Sequence, residues 1–170
     1  MSGQLEYVRD KNLGFHPEQI IEVPLWSLDT FDRQMGYENR VRQHSAVLST
    51  TSLAGSFVSW PYRGDLGKMD DGSRLPGWCL YVDYRFLETL GIELIEGRNF
   101  SLDYGSDLTS GMIVTEETAR RMGWEQPIGQ RFPFHFRRGG SSGGKRFRVE
   151  NPEVVGVEKK FFTLNHCIIH

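Results

Sequence analysis

An α+β fold, with short helices set between strands of mixed sheets, is what this sequence predicts. Three observations carry it. Apolar residues alternate in short runs, and brief amphipathic segments are framed by capping residues and glycines. Heptads and long low-complexity tracts are missing. A chain of 170 residues makes one domain, or two small subdomains sharing a core. Its 38% hydrophobic and 12% aromatic content suffices for a packed interior and argues against disorder.

Taken in order, "QIIEVPLW" from Gln19 to Trp26 is rich in β-formers and reads as a first strand. Asp29 or Thr30 then caps a helix through "FDRQMGYENRVRQH", with Phe31, Met35 and Val41 on its buried face and Gly36 weakening it. "AVLSTTSLAGSFVSW" returns as a strand, so residues 19–60 form a β-α-β unit. Residues 61–77, crowded with glycine, proline and aspartate, read as a long surface connection. A second subdomain spans 78–164. There a strand ends at Val82, Asp83 caps a helix with Phe86, Leu87 and Leu90 on one face, and Gly91 takes the left-handed terminal position. Ile92 and Leu94 alternate into a strand before Gly97. "SGMIVTEETARRMGW" repeats the scheme: a strand, a Thr115 cap, Glu116 and Glu117 in the first turn, and a stop at Gly123. "QPIGQRFPFHFRR" and "KRFRVENPEVVGVEKKFF" form two strands about a glycine-rich loop. Residues 165–170 read as an irregular tail.

Charge excludes some functions. Lys plus Arg total 20 against 22 Asp plus Glu, which lacks the basic excess of a nucleic-acid binder. No apolar run approaches the roughly 18 residues that span a bilayer, and the polar start lacks a signal-peptide core. The expectation is a soluble chain without a targeting signal. Cys79 and Cys167 read as two buried free thiols, a disulfide requiring an oxidising compartment.

Chemical motifs are few. In "RRGGSSGGKRF", Gly139, Gly144 and Lys145 have the spacing of a phosphate-cradling loop. Such a loop must open a helix and needs Ser or Thr after the lysine. Arg146 stands there and a strand pattern follows, so a hairpin tip is expected. The basic group Arg137, Arg138, Lys145 and Arg146 then reads as solvated. His166, Cys167 and His170 are three potential ligands at one end without a second cluster, too few for a metal site. The pairs Asp70–Asp71 and Glu116–Glu117 fit solvated or dipole-stabilising roles. Trp60 and Tyr62 serve either as contacts or as anchors of their own loop. No catalytic, cofactor-binding or metal residue is expected.

Three segments in order, "DYRFLETLGIELIEGRNFS", "SDLTSGMIVTEETARRMGWEQPIGQRF" and "VVGV", resemble the MacB-like periplasmic core domain of MacB/FtsX-type ABC transporter permeases. "GRNFS" and "GWEQPIG" are similar to versions found in Bacteroidetes-like bacteria, and "NLGFHPEQIIEVPL" extends the likeness from Tyr7 to Leu164. Asp83, Gly91, Gly97, Arg98, Gly123, Pro127 and Gly129 match as fold determinants, and Phe100 and Trp124 read as packing residues. The resemblance implies a non-catalytic domain outside the bacterial cytoplasmic (inner) membrane, between the first two transmembrane helices of the permease. Its implied partners are the membrane portion of the same permease, a separate ATPase subunit, a second permease copy and an extracytoplasmic protein. Efflux or release of a substrate is the implied role, with no cofactor.

Departures from the pattern include Thr115 for a frequent Asn and Gln130 for a frequent Lys. After "VVGV" the family continues as something like "KDFHxxSLH", where this chain reads "EKKFFTLNHCIIH". Codons for "FTLNHCII" can be chosen so that a two-base shift reads "HSQSLHH". The expectation is therefore a frameshift near Lys160 and a single domain, residues 1–170, truncated at its C-terminal end, with the first β-α-β unit lacking partner strands. Two other classes stay open: a stand-alone ligand-binding protein or enzyme with a polar pocket, and an adaptor that binds through the Trp60–Tyr62 loop.

Overall fold

The computed structural model describes residues 19–24, 36–54, 62–68, 72–132, 135–138, 147–159 and 166–169. Along the chain come a helical segment over residues 36–42 (α1), β1 (Leu53–Ala54), β2 (Tyr62–Lys68), β3 (Arg74–Val82), α2 (Phe86–Leu90) and β4 (Leu94–Gly97). There follow α3 (Asp107–Ser110), β5 (Gly111–Thr115), α4 (Glu116–Arg121), β6 (His135–Arg138), β7 (Phe147–Glu150), β8 (Glu153–Glu158) and β9 (His166–Ile169). This is an α+β architecture, built on one mixed sheet.

Among the described residues seven strands make that sheet, in the order β1-β3-β9-β5-β8-β4, with β2 also paired to β3. β3 runs parallel to β9 and β5 parallel to β8, while β9–β5 and β8–β4 are antiparallel. β6 and β7 form a separate antiparallel ribbon, with Arg137 opposite Arg148 and Phe136 opposite Val149.

Side-chain alternation divides the core between the two sheet faces. Leu75, Cys79 and Tyr81 of β3 join Met112 and Val114 of β5 in one cluster, which Ala119 of α4 and Phe132 cover. Leu80 and Val82 join Ile113 in the other, under Phe86, Leu87 and Leu90 of α2 and Phe100. β8 breaks the alternation: Val154 and Val157, three residues apart, share a face and Val155 takes the other. The cause is a register shift, since Met112 pairs with Val154 while Ile113 pairs with Gly156. One extra residue on β8 changes the parity of everything after it.

The helix ends follow their local chemistry. Thr115 Oγ1 accepts from Thr118 N at 3.0 Å and caps α4. At the far end Gly123 (φ 70) donates to Arg120 O and Trp124 to Ala119 O. Gly91 (φ 67) closes α2 the same way, with Gly91 N on Glu88 O and Ile92 N on Leu87 O. Asp83 acts differently from the expected cap. The N-cap of α2 is Arg85. The Asp83 carboxylate accepts from Arg85 N and Ser52 N, both at 3.0 Å, and from the Thr51 hydroxyl. It ties the entry of α2 to the stretch before β1.

Other expectations need correction. The expected long loop over 61–77 is contradicted by its described residues, of which 62–68 form β2 and 74–77 begin β3. Gly64, Gly77 and Pro76, which suggested a loop, lie inside a ladder, with Asp65 opposite Pro76 and Gly64 opposite Gly77. Pro76 is tolerated because, among the described residues, β9 pairs with β3 only from Trp78 onward, leaving β3 one neighbour at that point. Residues 166–169 of the irregular tail are strand β9. The described part of the first predicted strand, 19–24, is not a strand: Ile20 packs on the α2-side cluster, but Ile21 is 88% exposed. β-propensity alone does not make a strand without a ladder partner. The predicted 46–60 strand survives as Leu53–Ala54 in the described residues. Asp29, Thr30, Phe31 and Met35 lie outside them, whereas α1 supports the rest of the predicted helix. The free-thiol expectation also fails, since Cys79 is disulfide-bonded.

Candidate functional site

Among the described residues the most elaborate polar construction is the connection from β4 to β5, residues 98–110. Gly97 sets its origin. At φ 78 its backbone presses against β8, where an added Cβ would lie 2.6 Å from Ile128 Cδ1, 2.9 Å from Gly156 Cα and closer still to Val155 O. Only glycine allows that approach. Arg98 N then donates to Val155 O at 2.9 Å.

The guanidinium of Arg98 forks onto Asp107: Nη1 reaches Oδ2 at 2.6 Å and Nη2 reaches Oδ1 at 2.9 Å. Asp107, 1% exposed, also accepts from Ser101 N at 3.0 Å. Arg98 Nη1 donates to Asn99 O at 3.0 Å, and its Cζ lies 3.9 Å from the centroid of the Tyr104 ring. Asn99 Nδ2 donates to Tyr84 O at 3.2 Å, which fastens the loop beside α2. The hydrogen bond to Asp107 raises the Arg98 pKa further above a value that already keeps it charged. Both charges are saturated by their mutual bonds, so the arrangement holds a loop in shape and offers no proton to transfer. On the outer side Leu102 and Tyr104 stand 58% and 51% exposed.

Some of the sequence-derived fold determinants fall at this loop, and the Pro127–Gly129 turn meets its start through Ile128 beside Gly97. Gly97 and Arg98 begin it. Pro127 is buried, its carbonyl accepts from Gln130 N, and Gly129 (φ 82) donates to Val154 O at 2.8 Å, in a turn that requires positive φ. Trp124 meets Phe132 edge-on, with centroids 5.4 Å apart. Asp107 and Tyr104 were missed. A lone acidic residue nine positions beyond an arginine carries no local signal.

The remaining candidates stay separate. Glu117 fans between Arg120 and Arg121, and the Arg120 hydrogen bonds lower its pKa. Glu158, fully buried at the end of β8, pairs in register with Thr115 and Leu94. Arg137 and Arg138 are in β6, Tyr62 in β2, and His166 and Cys167 in β9. Trp60, Asp70, Asp71, Lys145, Arg146 and His170 lie outside the described residues. A strand, β7, follows the glycine-rich stretch where a phosphate loop would need a helix. Among the described residues no three His, Cys, Asp or Glu converge as metal ligands, and no helix is long and apolar enough to cross a membrane.

No family model and no curated protein matches the sequence. Solved structures do. The periplasmic region of MacB from Actinobacillus actinomycetemcomitans superposes with a TM-score of 0.51 at 14% identity, covering 79% of this chain and 53% of that one. A domain of a putative permease protein from Porphyromonas gingivalis gives 0.40 at 18% identity, covering 71% and 49%. The chain thus spans about half the length of the structures it matches. At such identity the MacB likeness is one of fold, and the α+β architecture here is similar to that of the MacB periplasmic region.

Proposed function

We propose that this chain is an extracytoplasmic domain of an ABC transporter permease, a non-catalytic element that passes ATP-driven motion of the membrane subunit to a substrate outside the cytoplasmic membrane. The observation that carries it is the fold likeness to the MacB periplasmic region, and the ordered motifs between Asp83 and Val157 point the same way. The polar chemistry suits such a role. Arg98–Asp107 and Asp83 with Thr51 and Ser52 fasten loops to the sheet and keep the domain stiff enough to carry force. ATP hydrolysis belongs to a separate subunit on the cytoplasmic side, the permease acts as a dimer, and an extracytoplasmic partner completes the export or release path.

The coding sequence on either side of this chain tests the proposal. A membrane-spanning segment upstream, further spans downstream and an adjacent ATPase gene are expected. An isolated reading frame without them refutes it. In the assembled transporter, excision of residues 78–159 should leave ATP hydrolysis in place and abolish substrate release, whereas unimpaired release also overturns the proposal.

A further inference from the structure

We propose that β9 is a keystone strand locked in register by a Cys79–Cys167 disulfide, so that the continuity of the central sheet depends on redox state. Cys79, 2% exposed in the core, is disulfide-bonded. The chain holds two cysteines, and the parallel β3–β9 ladder places Cys167 directly opposite Cys79.

The position of β9 makes that bond consequential. β9 pairs with β3 from Trp78 to Tyr81 on one side and with β5 from Met112 to Val114 on the other. Among the described residues it is the only strand that joins β1, β2 and β3 to β5, β8 and β4. Both hydrophobic clusters draw on β3 and β5 together. Removing β9 would leave the halves joined by side-chain packing across a gap, with two rows of backbone donors and acceptors bared inside the sheet. Four residues form a short ladder, and a one-residue slip would exchange its faces. A covalent bond at the second of those four positions prevents both loss and slip.

The chemistry is thiol–disulfide exchange. A dithiol reductant attacks the S–S bond, its two electrons and two protons leave thiols on Cys79 and Cys167, and it ends as its own disulfide. Formation is the reverse, with a disulfide-bearing oxidant of an oxidising compartment accepting the electrons. This inference does not rest on the transporter assignment, and either can fail without the other.

The test uses the full chain produced in an oxidising compartment and denatured without reductant in iodoacetamide. It should take up no label, and its intact mass should lie about 2 Da below that of the dithiol form. Hydrogen exchange of the native protein is then followed with and without dithiothreitol, and in Cys79→Ala without it. Reduction and the substitution should each speed exchange at Leu80–Val82 and Met112–Val114 by about tenfold or more. Loss of the whole fold on reduction carries the same meaning. Two labelled thiols in the untreated protein, or exchange at those strands that reduction leaves unchanged, overturns the proposal.

Discussion

Removing the arginine of the Arg98–Asp107 pair should cost more than neutralising the aspartate, because the two ends are unequally buried. Asp107 has 1% of its side chain exposed and Arg98 34%. Arg98→Met keeps the aliphatic stem but leaves a buried carboxylate without its guanidinium, still accepting from Ser101 N. Breaking a buried pair this way costs about 3–5 kcal/mol. The partial exposure of Arg98 already lets water screen the pair, so the lower end, about 3 kcal/mol, applies. Asp107→Asn leaves an arginine that can turn to solvent and keeps an acceptor for Ser101 N, so about 1–2 kcal/mol is expected. For a chain of this length 1 kcal/mol moves Tm by about 2–4 °C, so Arg98→Met should lower Tm by about 6–12 °C and Asp107→Asn by about 2–8 °C. The double variant no longer holds a stranded charge and should be more stable than Arg98→Met alone. Urea titrations followed by tryptophan fluorescence and by far-ultraviolet circular dichroism measure all three. A larger loss for Asp107→Asn, or a double variant that only adds the two losses, refutes the reasoning.

Other substitutions probe the backbone and the caps. Gly97→Ala should cost about 3 kcal/mol or more, since it meets positive φ and three near contacts at once. Gly105→Ala, with nothing within 4 Å, should stay within about 0.5 kcal/mol of the parent in the same titration. Thr115→Ala removes the cap on Thr118 N and should cost about 1–2 kcal/mol, most of which Thr115→Ser restores in thermal melts. Glu117 has a folded-state pKa below its reference value of 4.5. Its contribution is therefore present above that pH and lost as pH falls through the lowered value. Melts of Glu117→Gln should lie slightly below the parent at pH 7 and converge with it in acid. A gap that widens in acid would contradict the assignment.

What the sequence disclosed was mostly chemistry acting within a few residues. Thr115 reads as a cap because its hydroxyl needs only the amide three positions on. Gly91 and Gly123 read as helix ends because positive φ is a property of one residue. The β6–β7 pair was legible for the same reason, as alternation on either side of a glycine-rich stretch, but the single strand expected after that stretch is broken at Asn151 (φ 47) into β7 and β8. Asp107 escaped because its significance is the arginine nine residues earlier, brought close by the fold. β2 escaped because its composition is that of a loop, and it becomes a strand only by lying against β3. The candidate loop was thus visible at its start, Gly97 and Arg98, and hidden at its end.

β9 shows the limit from the other side. The histidines of "NHCIIH" drew notice as ligands, yet the property that fits residues 166–169 between β3 and β5 is the β-propensity of Ile168 and Ile169, which stand opposite Leu80 and Tyr81. Nothing within six residues marks that segment as the centre of a seven-stranded sheet, because the neighbours that make it central lie more than fifty positions away in the chain. Cys167 suffers the same anonymity. Its meaning is the register that sets it beside Cys79, and no spacing rule connects two cysteines separated by most of a domain. Local patterns therefore read out caps and turns, while the element on which the sheet's continuity depends is the one whose identity comes wholly from its neighbours.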